Sequence, residues 1–154
     1  MFQRVVGTTP EATTKVALPK EAAPGIFITE ELIKASEIVV PSGYRLATME
    51  EVALWYKRDS RFRTELDKGR VWVSPTDFKI SNTEFFKIND DGSFVGITEE
   101  EYKNTEANSK VNLRWGKGYL HMGIGHYSAG DTLEVWDDNA SMHWIARVAL
   151  VKER

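Results

Sequence analysis

An indole followed by two adjacent carboxylates, Trp136-Asp137-Asp138, heads the stretch WDDNASMHWIARVAL near the C-terminus. Hard cations such as calcium collect about six to eight oxygen ligands, and neighbouring carboxylates suit such a shell. The same residues also suit a polar turn, in which Asp137, Asp138 and Asn139 bond to nearby backbone while Trp136 packs into the core ahead of a last buried strand. Three residues do not make a coordination shell, so the turn is the simpler reading of the residues alone.

The three histidines are a second place to look for chemistry. His121 and His126 stand on opposite faces of a regular strand, because their spacing is odd, and His143 lies in another segment. Only a bulge at Gly123 or Gly125 would bring the first two onto one metal ion. Three separate imidazoles, at the surface or half-buried, with no metal and no cofactor, are therefore expected. Ser74, Ser128 and Ser141 lack the setting of a nucleophile elbow. The stretch GKGYLHMGIGHYSAG carries Gly116, Gly118, Gly123 and Gly125, but a phosphate loop opens onto a helix and this one runs into more strand. Glycines here relieve crowding in a twisted or bulged sheet. No catalytic residue is assigned, and an enzyme is not expected. What remains is aromatic: Trp115, Tyr119, Tyr127, Trp136 and Trp144 crowd this region. They either pack in the core or at its rim, or, since alternate ones must point away from a core, serve sugar or protein contacts. The expected ligand face is Trp115, Tyr119, Tyr127 and Trp136 with Asp137 and Asp138.

The elements that must position these residues follow from patterning. A chain of 154 residues, 42% hydrophobic and 28% charged, is the size of one domain with one main core. Its net charge of -3 gives no attraction to a phosphate backbone, so nucleic acid is not an expected partner. The absence of cysteine excludes disulfides and thiolate chemistry and suits a reducing cytoplasm. No apolar run reaches the roughly 20 residues of a membrane span, and the N-terminus lacks a signal core.

Residues 1–25 read as an extended arm, either a floppy leader or an ordered segment lying on its own domain or a neighbour's, with Pro10, Pro19 and Pro24 breaking any helix, and residues 26–154 as a single domain. Thr29 is expected to cap a short helix through about Glu37, followed by a strand from Glu37 to Val40 and a turn at Pro41-Ser42-Gly43. Thr48 with Glu51 is a capping box for a second helix carrying Met49, Val52, Trp55 and Tyr56. A further turn carries Phe62 and Leu66, with Gly69 at its end. Lys57, Arg58, Arg61 and Arg63 alternate with acids and read as a solvated face. Beyond Gly69 the pattern is of short strands, with a hairpin about Asp90-Asp91-Gly92, a second capping box at Thr98 and Glu101, and a closing strand in HWIARVALV.

Several of these segments resemble a known fold. GYRLATMEEV, from Gly43 to Val52, resembles the G-[WY]-R-L-P-T-x-x-E-[WL] approach to the first long helix in C-type-lectin-like folds of the formylglycine-generating-enzyme and related bacterial families, with Ala47 in place of Pro. Val71-Trp72-Val73-Ser74 is similar to their Trp-Ser-type strand, and Arg147-Val148 to their Arg-x-Val closing strand. Trp136-Asp137-Asp138 is similar to the Trp-Asn-Asp segment before the final strand of C-type lectins, where Asn and Asp help bind calcium and sugar hydroxyls. The likeness spans roughly Pro41 to Val151. A Glu-Pro-Asn motif and paired cysteines are both missing, so the resemblance implies the fold more than the sugar site. The formylglycine-generating activity needs cysteines and does not carry over.

The resemblance implies an α+β, C-type-lectin-like domain with early helices and a mainly antiparallel sheet, preceded by the arm. The function expected of it is non-catalytic: a structural or recognition protein, most concretely a bacteriophage virion component of the capsid-decoration or tail kind. Such a protein is made in the host cytoplasm, docks through its arm onto other protein subunits, forms a homo-oligomer and contacts cell-surface glycan. The alternative is a free carbohydrate-binding domain, cytoplasmic, with or without calcium.

Overall fold

The computed structural model describes residues 19–75, 85–113, 119–128, 130–138 and 144–153, with the backbone alone at 137 and 138. Strands come first. β1 (Lys20–Ala23) and β2 (Ile26–Ile28) pair as a hairpin closed at Pro24-Gly25, and Gly25 takes the positive φ of 81° that the tight turn needs. β3 (Ile33–Lys34) leads into one 3-10 turn, and β4 (Tyr44–Leu46) follows. Next come α1 (Met49–Arg58) and α2 (Ser60–Leu66), then β5 (Val71–Val73). β6 (Phe85–Ile88), β7 (Phe94–Gly96), α3 (Glu99–Lys103) and β8 (Lys110–Leu113) precede the long hairpin of β9 (Tyr119–Tyr127) and β10 (Gly130–Asp138). β11 (Ile145–Lys152) closes the chain.

All eleven strands join one sheet in the order β1-β2-β11-β5-β9-β10-β8-β6-β7, with β3 and β4 also paired to β11. This overturns the expected fold class. The structure is mostly sheet, 44% strand against 25% helix, and it is not clearly an α+β C-type-lectin fold. Strands precede the helices, and the sheet is mixed: β11 runs parallel to β5, and β10 parallel to β8. The expected helix from Thr29 is absent, because Thr29 is taken by the sheet. Its amide donates to the Val148 carbonyl at 3.0 Å and its hydroxyl accepts from the Val148 amide at 2.9 Å. No strand forms from Glu37 to Val40. The last residues of the expected arm, Lys20 to Ala23, are β1, so the sheet begins before residue 26; residues 1–18 lie outside the described residues.

The two capping boxes form as expected. Thr48 Oγ1 accepts from the Glu51 amide at 3.1 Å while Glu51 accepts from the Thr48 amide at 2.9 Å, and Arg45 clamps the same carboxylate from β4. Thr98 and Glu101 do the same for α3. The basic cluster is only partly solvated. Lys57 donates to the Ile88 carbonyl, Arg58 to that of Asp90, and Arg63 folds back onto the Tyr56 and Lys57 carbonyls at the end of α1. The β6–β7 turn thereby docks on α1, and Gly92 (φ 91°) sits where a Cβ would meet the Glu50 carbonyl at 2.5 Å.

Side chains alternate across each strand, so the sheet buries two faces. One face carries Val71, Val73, Leu120, Met122, Leu133 and Val135 against Val52, Tyr56, Phe62 and Leu66 of the helices. The other carries Trp72, Ala146, Val148 and Leu150 under β3, the 3-10 turn and β4, with Phe27, Ile33 and Leu46 packed against them. β11 contributes to both, which is why IARVALV reads as an unbroken apolar run around one Arg. Arg147 is held by the Glu65 carboxylate at 3.2 Å and by the Glu65 and Gly69 carbonyls at 2.9 and 2.7 Å, tying β11 to the end of α2.

Candidate functional site

The centre of the sheet's second face is an aromatic row beside a polar one. Register fixes both. Trp72 on β5 lies opposite His121 on β9, which lies opposite Trp136 on β10. One pleat along, Gly123 on β9 lies opposite Glu134 on β10, which lies opposite Asn112 on β8. Arg70, just before β5, fills the end of this second row: its Nη2 donates to Glu134 Oε1 at 2.9 Å, and its Cζ lies 5.2 Å from the centre of the Trp136 ring. A cation over an indole face is attracted by the ring quadrupole, so Trp136 and Glu134 hold the guanidinium together.

The glycines in this strand are explained by that crossing. A Cβ at Gly123 would lie 2.8 Å from Arg70 Cγ, so the bare backbone is the bed on which Arg70 reaches across β9. A Cβ at Gly125 would lie 2.7 Å from Glu134 Cδ and from the Tyr127 ring, and Tyr127 leans over this gap to donate its hydroxyl to Glu134 Oε2. At Gly123 and Gly125 the expectation that the glycines relieve crowding is met, the crowding coming from Arg70, Glu134 and Tyr127, while Gly116 and Gly118 lie outside the described residues. On the far side of Glu134 the row is roofed by Tyr102 of α3, which hydrogen-bonds Thr132 and lies over Lys110 and against Phe85.

His121 is fully buried, not at the surface or half-buried as expected, because its strand is interior and its ring stands edge-on to Trp72 at 5.1 Å and tilted against Trp144 at 5.3 Å. Burial, and then the Arg70 charge, pushes its pKa down to about 4, so it is neutral at physiological pH. Neither ring nitrogen has a hydrogen-bond partner among the described residues, nor does buried Arg70 Nη1 or Asn112 Oδ1. Trp144 is 44% exposed and stands edge-on to Trp136 at 6.2 Å.

Of the six residues expected to form a ligand face, Tyr119, Tyr127 and Trp136 share this face, with Tyr119 and Tyr127 exposed at the two ends of β9. Asp137 and Asp138 do not form a turn. They are the last two residues of β10, with backbones opposite Leu120 and Tyr119, and their side chains lie outside what is described. Trp115 and His143 also lie outside the described residues. Among the described residues no group of three or more His, Asp and Glu is arranged to hold a metal ion. Sequence reasoning missed Arg70 and Glu134, and weighed His121 only as a metal ligand. Alternation from Tyr119 to Tyr127 already put His121, Gly123 and Gly125 on their face, and two glycines on one face of a strand signal that something large lies over them.

His126 points to the opposite side, as its spacing from His121 requires. Its Nε2 lies 2.7 Å from Asp67 Oδ1 at the end of α2, and its Nδ1 lies 2.8 Å from Asp131 Oδ1 on β10. Both contacts favour the doubly protonated ring, and the pKa is raised, first by the Asp67 hydrogen bond and then by that of Asp131.

Comparison of the chain with protein-family models, with curated proteins and with solved structures found no match.

Proposed function

We propose that the protein is a non-catalytic recognition subunit of a larger protein assembly, in its most specific form a bacteriophage virion component that docks through its N-terminal arm. The observation that carries recognition is the face around Arg70, Glu134, Trp136 and Trp144. Rings stand half-exposed beside a charge pair that a sheet holds rigid, and rigid aromatic surface with fixed polar partners is what binding faces use. Its carboxylate is committed: Glu134 accepts from both Arg70 and Tyr127. That suits positioning a ligand better than accepting or delivering a proton.

Docking through the arm is supported by where it is rooted. Among the described residues β1 is the terminal strand of the sheet, so the arm joins the sheet at an edge strand, and an edge strand is a ready template for a neighbouring chain. Beside it, a cleft of about 440 Å³ is walled by Lys20, Glu21, Glu30, Glu65, Lys68 and Arg147. The partners on this reading are other protein subunits, copies of this chain among them, and the location is the virion after synthesis in a host cytoplasm. A free carbohydrate-binding domain is the second reading, favoured by the same aromatic face.

The two readings separate on deletion of residues 1–18, which leaves β1 in the sheet. The full-length chain is expected to self-associate at high concentration in sedimentation velocity, and the shortened chain to be a folded monomer. A full-length monomer at all concentrations removes the assembly reading and leaves the free binding domain.

A further inference from the structure

We infer that Lys87 and Lys110 together form a binding site for the dianion of a phosphate monoester. The site lies beside the Glu134 row on the sheet's second face and does not depend on the assembly reading.

Lys87 on β6 lies directly opposite Lys110 on β8 in an antiparallel ladder, so both side chains leave the same face of the sheet. Their Cβ atoms stand about 5 Å apart, and like charges placed so are destabilising. An exposed lysine relieves this by turning into water, but Lys110 is only 4% exposed. Its ammonium meets the face of the Tyr102 ring at 5.2 Å and has no counter-ion among the described residues. A charge taken out of water without a partner is costly, and a bound anion removes that cost.

The neighbouring acids do not supply the missing charge. Glu134 accepts from Arg70 and Tyr127, and Glu101 of α3, which feels the charge of Lys87, accepts from the Thr98 amide and hydroxyl. Asn112, next along this side of β8, adds no charge. Lys87 is exposed, so a ligand held by it stands beside Lys110. A single carboxylate would neutralise one lysine. A phosphate monoester carries about two negative charges at neutral pH and offers three strong acceptor oxygens, enough for both ammonium groups.

The test follows the backbone amide resonances of the full-length protein during titration with inorganic phosphate, glycerol phosphate and a phosphoserine peptide, at an ionic strength held constant with chloride. The amides of Lys87 and Lys110 are expected to shift saturably, and the ester that binds more tightly identifies the source of the phosphate group. Lys87→Gln, at an exposed position, is expected to weaken binding about tenfold, the worth of one charge-assisted hydrogen bond. Lys110→Met keeps the buried stem, so it is expected to abolish the response and, in the absence of phosphate, to leave the urea midpoint no lower than that of the parent chain. Succinate binding as tightly as phosphate overturns the ligand class. The absence of a saturable shift, or a shift indifferent to Lys87→Gln, overturns the site. A midpoint lowered by Lys110→Met shows that the ammonium is already satisfied within the fold and overturns the inference as well.

Discussion

Arg70 and Glu134 meet at 2.9 Å across a strand on which Gly123 lies between them, so the ion pair of the sheet's second face exists because one residue of β9 has no side chain. Gly125 does the same for Glu134 and Tyr127. The pair is 64 residues apart in the chain, and the hairpin that separates the partners also supplies the gap they use.

Gly123→Ala is therefore expected to destabilise the fold by about 1–3 kcal/mol, the usual cost of overpacking, because the obstacle is the root of the Arg70 side chain and not its mobile tip. Gly92→Ala should cost more, since its Cβ would strike the Glu50 backbone carbonyl at a positive φ. Urea denaturation checks both, and an unchanged midpoint for Gly123→Ala would show that Arg70 does not need the gap.

Removing one partner of the Arg70–Glu134 pair should cost more than removing both. Glu134→Leu leaves a cation only a quarter exposed without its counter-ion, a loss of about 2–3 kcal/mol after allowing for that exposure. Arg70→Met added to Glu134→Leu should recover part of that loss. Additive destabilisation in the double-mutant cycle would mean that the two charges do not interact.

The two histidines of β9 should give the protein opposite responses to pH. His121 titrates near 4 in the fold and near 6.5 when unfolded, so the unfolded state binds the extra proton in that window. Stability should fall by on the order of 3 kcal/mol as pH drops from about 6.5 to about 4, and His121→Phe should flatten that slope. His126, raised by Asp67 and Asp131, works the other way. Its contribution is fully present below the unfolded value and is lost as pH rises through its folded value, and His126→Asn should remove that loss. Ring-proton NMR titrations of the folded protein read both: His121 below and His126 above the ordinary histidine value.

The parts legible in the sequence were those fixed by neighbours along the chain. The Thr48–Glu51 and Thr98–Glu101 boxes closed as expected because each needs only four consecutive residues. The hairpin at Asp90-Asp91-Gly92 formed for the same reason, with Gly92 in the conformation its turn demands. Thr29 looked equally like a cap, but its hydroxyl went to the amide of Val148, 119 residues away. The sheet won because pairing there completes the buried backbone of β11, which no local pattern records. Likewise the mixed sheet order depends on β11 inserting beside β5, and Trp136-Asp137-Asp138 became strand because β9 extends opposite it as far as Tyr119. Of the face itself, the exposed rings of Tyr119 and Tyr127 were readable by type, whereas Arg70 and Glu134 acquire meaning only through the register that joins three strands.

The most direct test of recognition at this face, in the carbohydrate-binding form proposed above as the second reading, is to follow the indole Nε1–H resonances of the full-length protein, with tryptophan labelled by ¹⁵N, during titration with a panel of oligosaccharides. Trp136 and Trp144 should move, while Trp55, on α1 and packed against the core of the opposite face, should stay still. Movement of Trp55 alone, or of no indole with any saccharide, would contradict saccharide recognition at this face.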